Sequence, residues 1–193
     1  MNIKEMVGKR FFSVDAETDG LWGNPFSVGA IVYEIKRNYN KNTFKTSYYF
    51  EQVEEICLRL PNEVVKNEWV KLNVLPNLDF EVTHQEYKDM LKDFADFYLR
   101  HKNATVIWHM GYIVEAHLFR ELHKMELIGD WDAPYTPIEI SDLLRMKDYD
   151  CDSVDNYAKI NNLFGFGIPN KTHNPLYDCF VSAQVFEDIL KKL

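Results

Sequence analysis

Near its N-terminus the chain reads Phe11-Phe12-Ser13-Val14-Asp15-Ala16-Glu17-Thr18-Asp19-Gly20. Its apolar start predicts a buried strand over residues 11–17, and Thr18-Asp19-Gly20 is a turn signal. Because side chains alternate along a strand, Asp15 and Glu17 are expected on the same face. Two buried like charges are unfavourable unless a cation neutralises them, and hard oxygen ligands suit Mg²⁺ or Mn²⁺. The pair is therefore a candidate metal site, although an Asp-x-Glu pattern also arises by chance in an acidic chain.

The remaining hydrophobic pattern predicts an α/β fold. Apolar runs at 27–33 and 43–50, separated by a polar turn at 36–42, complete an antiparallel meander with the first strand. A capping-box pattern from Thr83 to Glu86, followed by apolar residues at three- and four-residue spacing, predicts a helix over 84–100. Shorter patterns predict a helix within 63–72, strands at 105–108 and 138–140, and helices at 114–122, 153–163 (ending near Gly165) and 175–193. We expect one domain, 1–193, with a mixed sheet and helices on both faces.

Composition narrows the classes of protein. Thirty acidic and 22 basic residues give a net charge of −8, which argues against coating nucleic acid by electrostatics alone. No apolar run approaches the roughly 18 residues needed to span a bilayer, and the first apolar patch, 11–14, is too short for a signal-peptide core. The three cysteines, Cys57, Cys151 and Cys179, are widely spaced and read as reduced thiols. We expect a cytoplasmic protein without a membrane partner.

A second constellation lies near the C-terminus, in His173-Asn174-Pro175-Leu176-Tyr177-Asp178. Asn174 followed by Pro175 predicts a helix start, which puts Asp178 in the first turn, where the helix dipole favours a carboxylate. His173 lies just outside the helix and is free to approach the same place. The alternative is that Asn174 or His173 only caps the helix and that Asp178 is a solvated charge.

Together these motifs resemble the DEDDh branch of the proofreading-type 3′→5′ exonucleases, which have an RNase H-like fold. That family opens with Asp-x-Glu-Thr-x-Gly, as in 15–20, and closes with His-x-x-x-x-Asp, as in 173–178. Between them it has a strand and a His-x-Gly-x-x-x-Asp loop that enters a helix. This chain has His109-Met110-Gly111-Tyr112-Ile113-Val114-Glu115 there, so Glu115 replaces the usual Asp.

The resemblance implies a metal-dependent exonuclease that removes nucleotides from the 3′ end of single-stranded DNA or RNA. It implies two divalent cations, Mg²⁺ or Mn²⁺, one held by Asp15, Glu17 and Asp178. The second would be held by Asp15 and, directly or through water, by Glu115, with His173 as general base. Residues from Thr18 onward are expected to line the nucleotide pocket. Trp22 is a candidate to stack on a base or, equally, an ordinary core residue.

Two alternatives to the exonuclease remain open at the level of sequence. One is a catalytically decayed member of the same fold that binds nucleic acid or protein, and the other is an unrelated α/β enzyme with accidental motifs. Within the exonuclease interpretation, Glu115 is either a metal ligand or a helix-start acid, with His109 as the competing ligand. The sequence does not decide between DNA and RNA or give the oligomeric state.

Other charged segments carry weaker signals. The segment 148–152 resembles the start of a calcium-binding loop but lacks the required Gly and bidentate Glu. His117 and His123 are not spaced from any cysteine as zinc ligands are. Both histidines are expected at the surface or in structural roles. The basic run of Lys36, Arg37, Lys41 and Lys45, with Tyr39 and Phe44, either contacts nucleic acid or forms a solvated hairpin tip.

Overall fold

The computed structural model describes residues 3–163 and 172–193 of the chain. Its sheet has five strands: β1 (Arg10–Thr18), β2 (Pro25–Asn40), β3 (Lys45–Arg59), β4 (Thr105–Trp108) and β5 (Ile138–Glu139). The α-helices of these ranges are α1 (Ile3–Met6), α2 (Glu68–Asn73), α3 (Tyr87–His101), α4 (Val114–Lys124), α5 (Ile140–Arg145), α6 (Val154–Ile160) and α7 (Pro175–Lys191). None of these helices is long and apolar enough to cross a lipid bilayer.

The order of the strands is β3-β2-β1-β4-β5. β1, β2 and β3 form an antiparallel meander, while β4 pairs parallel to β1, and β5 parallel to β4. The predicted mixed sheet, with a meander followed by parallel strands, is therefore confirmed. The carboxyl ends of β1, β4 and β5 lie at the same edge of the sheet.

The two faces of β1 pack against different helices. Phe12, Val14 and Ala16 belong to a core on the side of α3 and α4, where the Phe12 ring lies 5.5–6.3 Å from three aromatic rings of α3. Phe11 belongs to the opposite core with α7, where it contacts the ring of Phe186 at 5.2 Å. Because side chains alternate, the odd residues Asp15 and Glu17 continue the face that carries Phe11 and are directed toward α7.

The hairpin between β2 and β3 is longer than the sequence predicts. Residues 36–42 were expected as a turn, but pairing continues from Lys36↔Tyr49 to Asn40↔Lys45, and only four residues connect the strands. The Asn40 Oδ1 atom closes the turn by accepting from the backbone N–H groups of Asn42 and Thr43. Residues 36–42 have no alternation of buried apolar and exposed polar residues, so they give no strand signal.

Two helix starts also differ from prediction. The capping box is not formed, because Thr83 Oγ1 instead accepts from the backbone N–H of Arg59 at 2.8 Å, and α3 begins only at Tyr87. The strand predicted to 140 ends at Glu139, and the following residues form α5, which the sequence reading missed. α7 begins at Pro175 with Asn174 as its cap, as predicted, and α6 begins at Val154, one residue after the predicted start. The predicted helix end near Gly165 lies outside the described residues.

Candidate metal centre

Three carboxylates meet at the carboxyl end of β1. One oxygen from each of Asp15, Glu17 and Asp178 lies within 4.8 Å of the other two. Asp15 and Glu17 come from β1, and Asp178 comes from the first turn of α7. The two motifs at opposite ends of the sequence are therefore adjacent in space.

A close approach between α7 and β2 brings Asp178 to this position. Gly29 pairs with Asp15, and a Cβ atom at Gly29 would lie 2.5 Å from the carbonyl carbon of Pro175. Only a residue without a side chain permits the helix to start so near the sheet. Two hydrogen bonds hold it there: Ser13 Oγ donates to the Cys179 carbonyl at 3.0 Å, and Cys179 Sγ donates to the Gly29 carbonyl at 3.2 Å.

The start of α7 is fixed by Asn174, as the sequence predicts. Its Oδ1 atom accepts from the backbone N–H of Tyr177 at 3.2 Å. Its Nδ2 atom donates to the Asn77 carbonyl at 3.2 Å and to the Asp79 carboxylate at 3.0 Å. Asn174 thus caps the helix and ties it to a loop far away in sequence. Asp79 therefore has a structural role as an acceptor for the cap residue.

Burial and mutual repulsion raise the pKa values of the three carboxylates. Burial raises the pKa of Asp15 to about 7. Burial, followed by the charge of Asp15, raises the pKa of Glu17 and of Asp178 well above their ordinary values. A cation among them would remove both penalties, because it favours the charged form of each ligand.

His173 lies beside this group. Its Nδ1 atom is 3.8 Å from Glu17 Oε1, and its side chain is 44% exposed. Partial burial lowers the pKa of His173, with the charge of Asp155 opposing, so the imidazole is mainly neutral at pH 7. Its backbone φ of +65° is in the left-handed region, which turns the residue out of the line of α7.

Trp69, on α2, contacts His173 and was missed by the sequence reading. The two rings lie edge to face, with centroids 5.6 Å apart, and Trp69 is 57% exposed. Its segment is joined to the turn after β1, because Asp19 Oδ1 accepts from the backbone N–H groups of Lys66 and Asn67 at 3.0 and 2.7 Å. Trp69 is identified as a residue of the candidate site by this tertiary contact alone, because no local sequence pattern indicates it.

Of the two predicted pocket residues, one is buried and one is exposed. Thr18 is buried at the end of β1, whereas Trp22 is 73% exposed in the following loop. The alternative that Trp22 is an ordinary core residue is therefore wrong. Its predicted contact with a base stays a prediction.

Glu115 lies next to the three carboxylates but not within their group. It is 3% exposed, and its Oε1 atom accepts from the backbone N–H of Ala16 at 3.0 Å. β4 pairs with β1 only from Phe11 to Ser13, so Glu115 supplies an acceptor beyond the end of that pairing. Burial and the neighbouring charge of Asp15 raise the pKa of Glu115 well above its ordinary value. Its part as a metal ligand remains a prediction.

A second buried carboxylate, Glu139, shapes the loop that leads to Glu115. It accepts from the backbone N–H groups of Met110 and Gly111 at 2.7 and 3.0 Å. Gly111 packs on the Trp108 ring so closely that a Cβ atom would lie 2.3 Å from it. His109, the competing ligand in the sequence analysis, instead bonds through Nε2 to the Cys151 carbonyl at 2.9 Å.

The other charged segments have structural contacts. His123 Nε2 forms an exposed hydrogen bond with the Asp130 carboxylate at 2.6 Å, in agreement with a surface position. In the rejected calcium-loop segment, the Asp150 carboxylate accepts from the backbone N–H of Asp152 and from the Asn156 side chain. Asp15, Glu17 and Asp178 are the one such acidic group found within the ranges that the structure describes.

Solved nuclease structures share this fold. The nuclease domain of 3′hExo, a DEDDh family member bound to rAMP, matches with a TM-score of 0.61 at 11% identity, over 96% of this chain and 93% of that one. Exonuclease X, in complex with 5′ overhanging duplex DNA, matches with a TM-score of 0.54 at 15% identity, over 94% and 92%. No family model and no curated protein matches the sequence. The chain therefore has the RNase H-like fold seen in DEDDh exonucleases, and at these identities the likeness establishes the fold alone.

Proposed function

We propose that the chain is a single metal-dependent exonuclease domain that removes nucleotides from the 3′ end of single-stranded DNA or RNA. The observation that carries this proposal is the group of Asp15, Glu17 and Asp178, within 4.8 Å of one another, with His173 beside Glu17. The fold shared with 3′hExo and Exonuclease X supports the same class of reaction.

The donor set suits divalent cations of the Mg²⁺ and Mn²⁺ type. Three carboxylates offer the hard oxygen atoms that such ions prefer. Their raised pKa values mean that all three carboxylates ionise together only when a nearby cation compensates their charge. Asp15, Glu17 and Asp178 would hold one ion, and Asp15 with Glu115 a second. When bound, two such ions supply activation of the attacking water and stabilisation of the leaving oxygen of a phosphodiester.

His173 is the proposed general base. Its imidazole is mainly neutral at pH 7 because partial burial lowers its pKa, so it is able to accept a proton from the attacking water. The ring stands next to Glu17 and against the edge of Trp69. The ring contact restrains the orientation of an otherwise half-exposed side chain.

Exposed aromatic residues offer a surface for the terminal nucleotides. Trp22 and Trp69 lie on two segments that Asp19 joins, and Trp69 is in contact with His173. Stacking of a base on an aromatic ring contributes about 1–3 kcal/mol in single-strand binders. Thr18, buried at the base of the same loop, is proposed to position this loop rather than to stack.

The proposal is tested with single-stranded DNA and RNA labelled at either end, with Mn²⁺, with Mg²⁺ and with EDTA. We expect a 5′-labelled strand to shorten in single-nucleotide steps, a 3′-labelled strand to release labelled mononucleotide at once, and EDTA to stop both. Asp15→Asn is the matched control for a contaminating nuclease, because it removes a metal ligand and preserves side-chain size. Release that is equal in this variant, or absent with every metal, would refute the assignment.

A second candidate is a binding module without catalysis. It is favoured by one observation: Glu115 bonds to the backbone N–H of Ala16 and does not belong to the cluster of Asp15, Glu17 and Asp178. The distinguishing result is a protein whose melting temperature rises with Mn²⁺ and which binds the oligonucleotide, yet releases no nucleotide.

A further inference from the structure

The hairpin of β2 and β3 projects beyond the rest of the sheet. β1 begins at Arg10, opposite Glu34, and Val7 pairs with Ile35, so the five residues from Lys36 to Asn40 extend past the rest of the sheet. At about 3.3 Å per residue, they extend the hairpin by about 17 Å. We call residues 36–49 the arm. Its tip, Asn40, is eleven residues along β2 from Gly29, the residue that pairs with Asp15. Eleven residues of extended strand span about 36 Å, so the tip lies about 36 Å from the candidate centre.

The arm has the opposite charge to the rest of the protein. Between Glu34 and Glu51 there are four basic residues and no acidic residue. Since the whole chain has a net charge of −8, the remainder carries −12. Lys36 is neutralised by Glu34 and Glu51 at 2.8 and 3.5 Å, but Arg37, Lys41 and Lys45 have no ion-pair partner in the part of the chain that the structure describes.

Exposed aromatic rings alternate with these cations. Phe44 is 80% exposed, and Tyr39 and Tyr49 are nearly half exposed. Lysines on an exposed strand also discourage edge-to-edge pairing, and that would account for the charge alone. It does not account for three exposed aromatic rings, which make pairing between copies more favourable. Cations interleaved with aromatic rings are instead typical of surfaces that bind single-stranded nucleic acid.

One face of the arm is continuous with the face that carries the candidate centre. Ile31, Tyr33 and Ile35 pack on the α7 side of the sheet, the side to which Asp15 is directed. Because strand side chains alternate, Arg37 and Tyr39 continue this face. Because Ile31, Tyr33 and Ile35 are fully buried, a strand that leaves the centre would pass over the helices that cover this side and then meet Arg37 and Tyr39.

We propose that the arm binds single-stranded nucleic acid through Arg37, Lys41 and Lys45, with Tyr39 and Phe44 stacking on bases. The position of this contact relative to the 3′ end rests on the proposed function. At the stacked spacing of about 3.4 Å per nucleotide, a distance of about 36 Å corresponds to roughly ten nucleotides. Short substrates would fill the centre without reaching the arm.

The test compares the triple variant Arg37→Gln, Lys41→Gln, Lys45→Gln with a matched control, Lys88→Gln, Lys92→Gln, Lys147→Gln, which neutralises three exposed lysines elsewhere. Binding of labelled oligonucleotides of roughly 5 and 20 nucleotides is measured by anisotropy in EDTA over a salt series. We expect the arm variant to bind the long strand roughly tenfold more weakly, with a slope of log K against log salt reduced by about 2. The control variant should match the wild type, and the loss in the arm variant should be smaller for the short strand, which cannot contact the arm and the centre at once.

Equal losses in both triple variants, or an unchanged salt slope in the arm variant, would overturn the proposal. So would arm-dependent binding to vesicles containing phosphatidylserine without arm-dependent binding to the oligonucleotide. Phe44→Ala separates stacking from charge, because it should weaken binding of the long strand and leave the salt slope unchanged. The proposed function fails separately: arm-dependent binding with no metal-dependent release would leave the arm assigned and the exonuclease refuted.

Discussion

The carboxylate of Glu115 accepts a hydrogen bond from the backbone N–H of Ala16, at 3.0 Å, between the two acidic residues of β1. One side chain thus touches the strand that carries Asp15 and Glu17 and, by its charge, raises the pKa of Glu17. Glu115 therefore has a structural task as well as a proposed catalytic one. Substitutions that separate its hydrogen bond from its charge decide between the two.

Glu115→Gln removes the charge and retains an acceptor for Ala16. If Glu115 is a metal ligand, turnover of single-stranded substrate at saturating Mn²⁺ should fall by most of its value, while the melting temperature in EDTA holds or rises. Glu115→Asp, which is one methylene shorter, should lose the Ala16 hydrogen bond and about 1 kcal/mol of stability. Its rate rises if the centre is an imperfect copy of the family pattern and falls if the backbone has adjusted to the longer side chain. Wild-type turnover in Glu115→Gln would show that Glu115 is purely structural.

His173→Asn tests the general base without changing the backbone conformation, because Asn tolerates the left-handed region that His173 occupies. Turnover should fall by roughly 10²–10⁴, the range typical of a lost general base. The rise in melting temperature on adding Mn²⁺ should persist. A variant that loses about 1 kcal/mol of stability and no activity would instead assign His173 to the helix end.

The stability of the metal-free protein should fall with rising pH. Asp15 has a pKa of about 7 in the fold against an ordinary value of 3.8, so the folded state binds more protons between these values. The free energy of unfolding therefore decreases as pH rises from about 4 to about 7, by at most about 4 kcal/mol for this group. Urea unfolding in EDTA at pH 5 and pH 8 measures it, with Asp15→Asn as reference. Parallel pH dependence in the two proteins would contradict the assignment; Mn²⁺ should restore wild-type stability at pH 8.

Gly29→Ala should damage the centre from a position that holds no ligand. Its Cβ atom would lie 2.5–2.7 Å from backbone atoms of Pro175 and Leu176, so α7 must move away from β2. We expect a loss of about 1–3 kcal/mol of stability, as for other overpacked sites, together with weaker Mn²⁺ binding by calorimetry. Gly129→Ala is the control, because its Cβ atom would meet only the end of the Asp132 side chain, at 3.1 Å. Equal effects of the two substitutions would mean that the close approach is not essential.

The sequence predicts the centre where the signals are local. Alternation along β1 correctly puts Asp15 and Glu17 on one face, and the Asn174 cap correctly starts the helix of Asp178, because both depend on neighbours in the chain. The contribution of Trp69 depends on a ring contact with a residue about a hundred positions away, so no local pattern reveals it. The predicted length of the β2–β3 hairpin is wrong for a related reason: its pairs nearest the turn are exposed, and backbone pairing alone defines them as strand.

The contact of α7 with β2 also has a consequence for the time at which the centre forms during synthesis. The hydrogen bond from Ser13 to Cys179 joins residues 166 positions apart, and Asp178 is adjacent to its acceptor. A ribosome therefore releases Asp15 and Glu17 long before the carboxylate that completes their group. Until α7 has emerged and settled on Gly29, the growing chain carries two mutually repelling acids and no complete cation site. Under the proposed function, nuclease activity therefore arises only after α7 has been synthesised and has packed against Gly29.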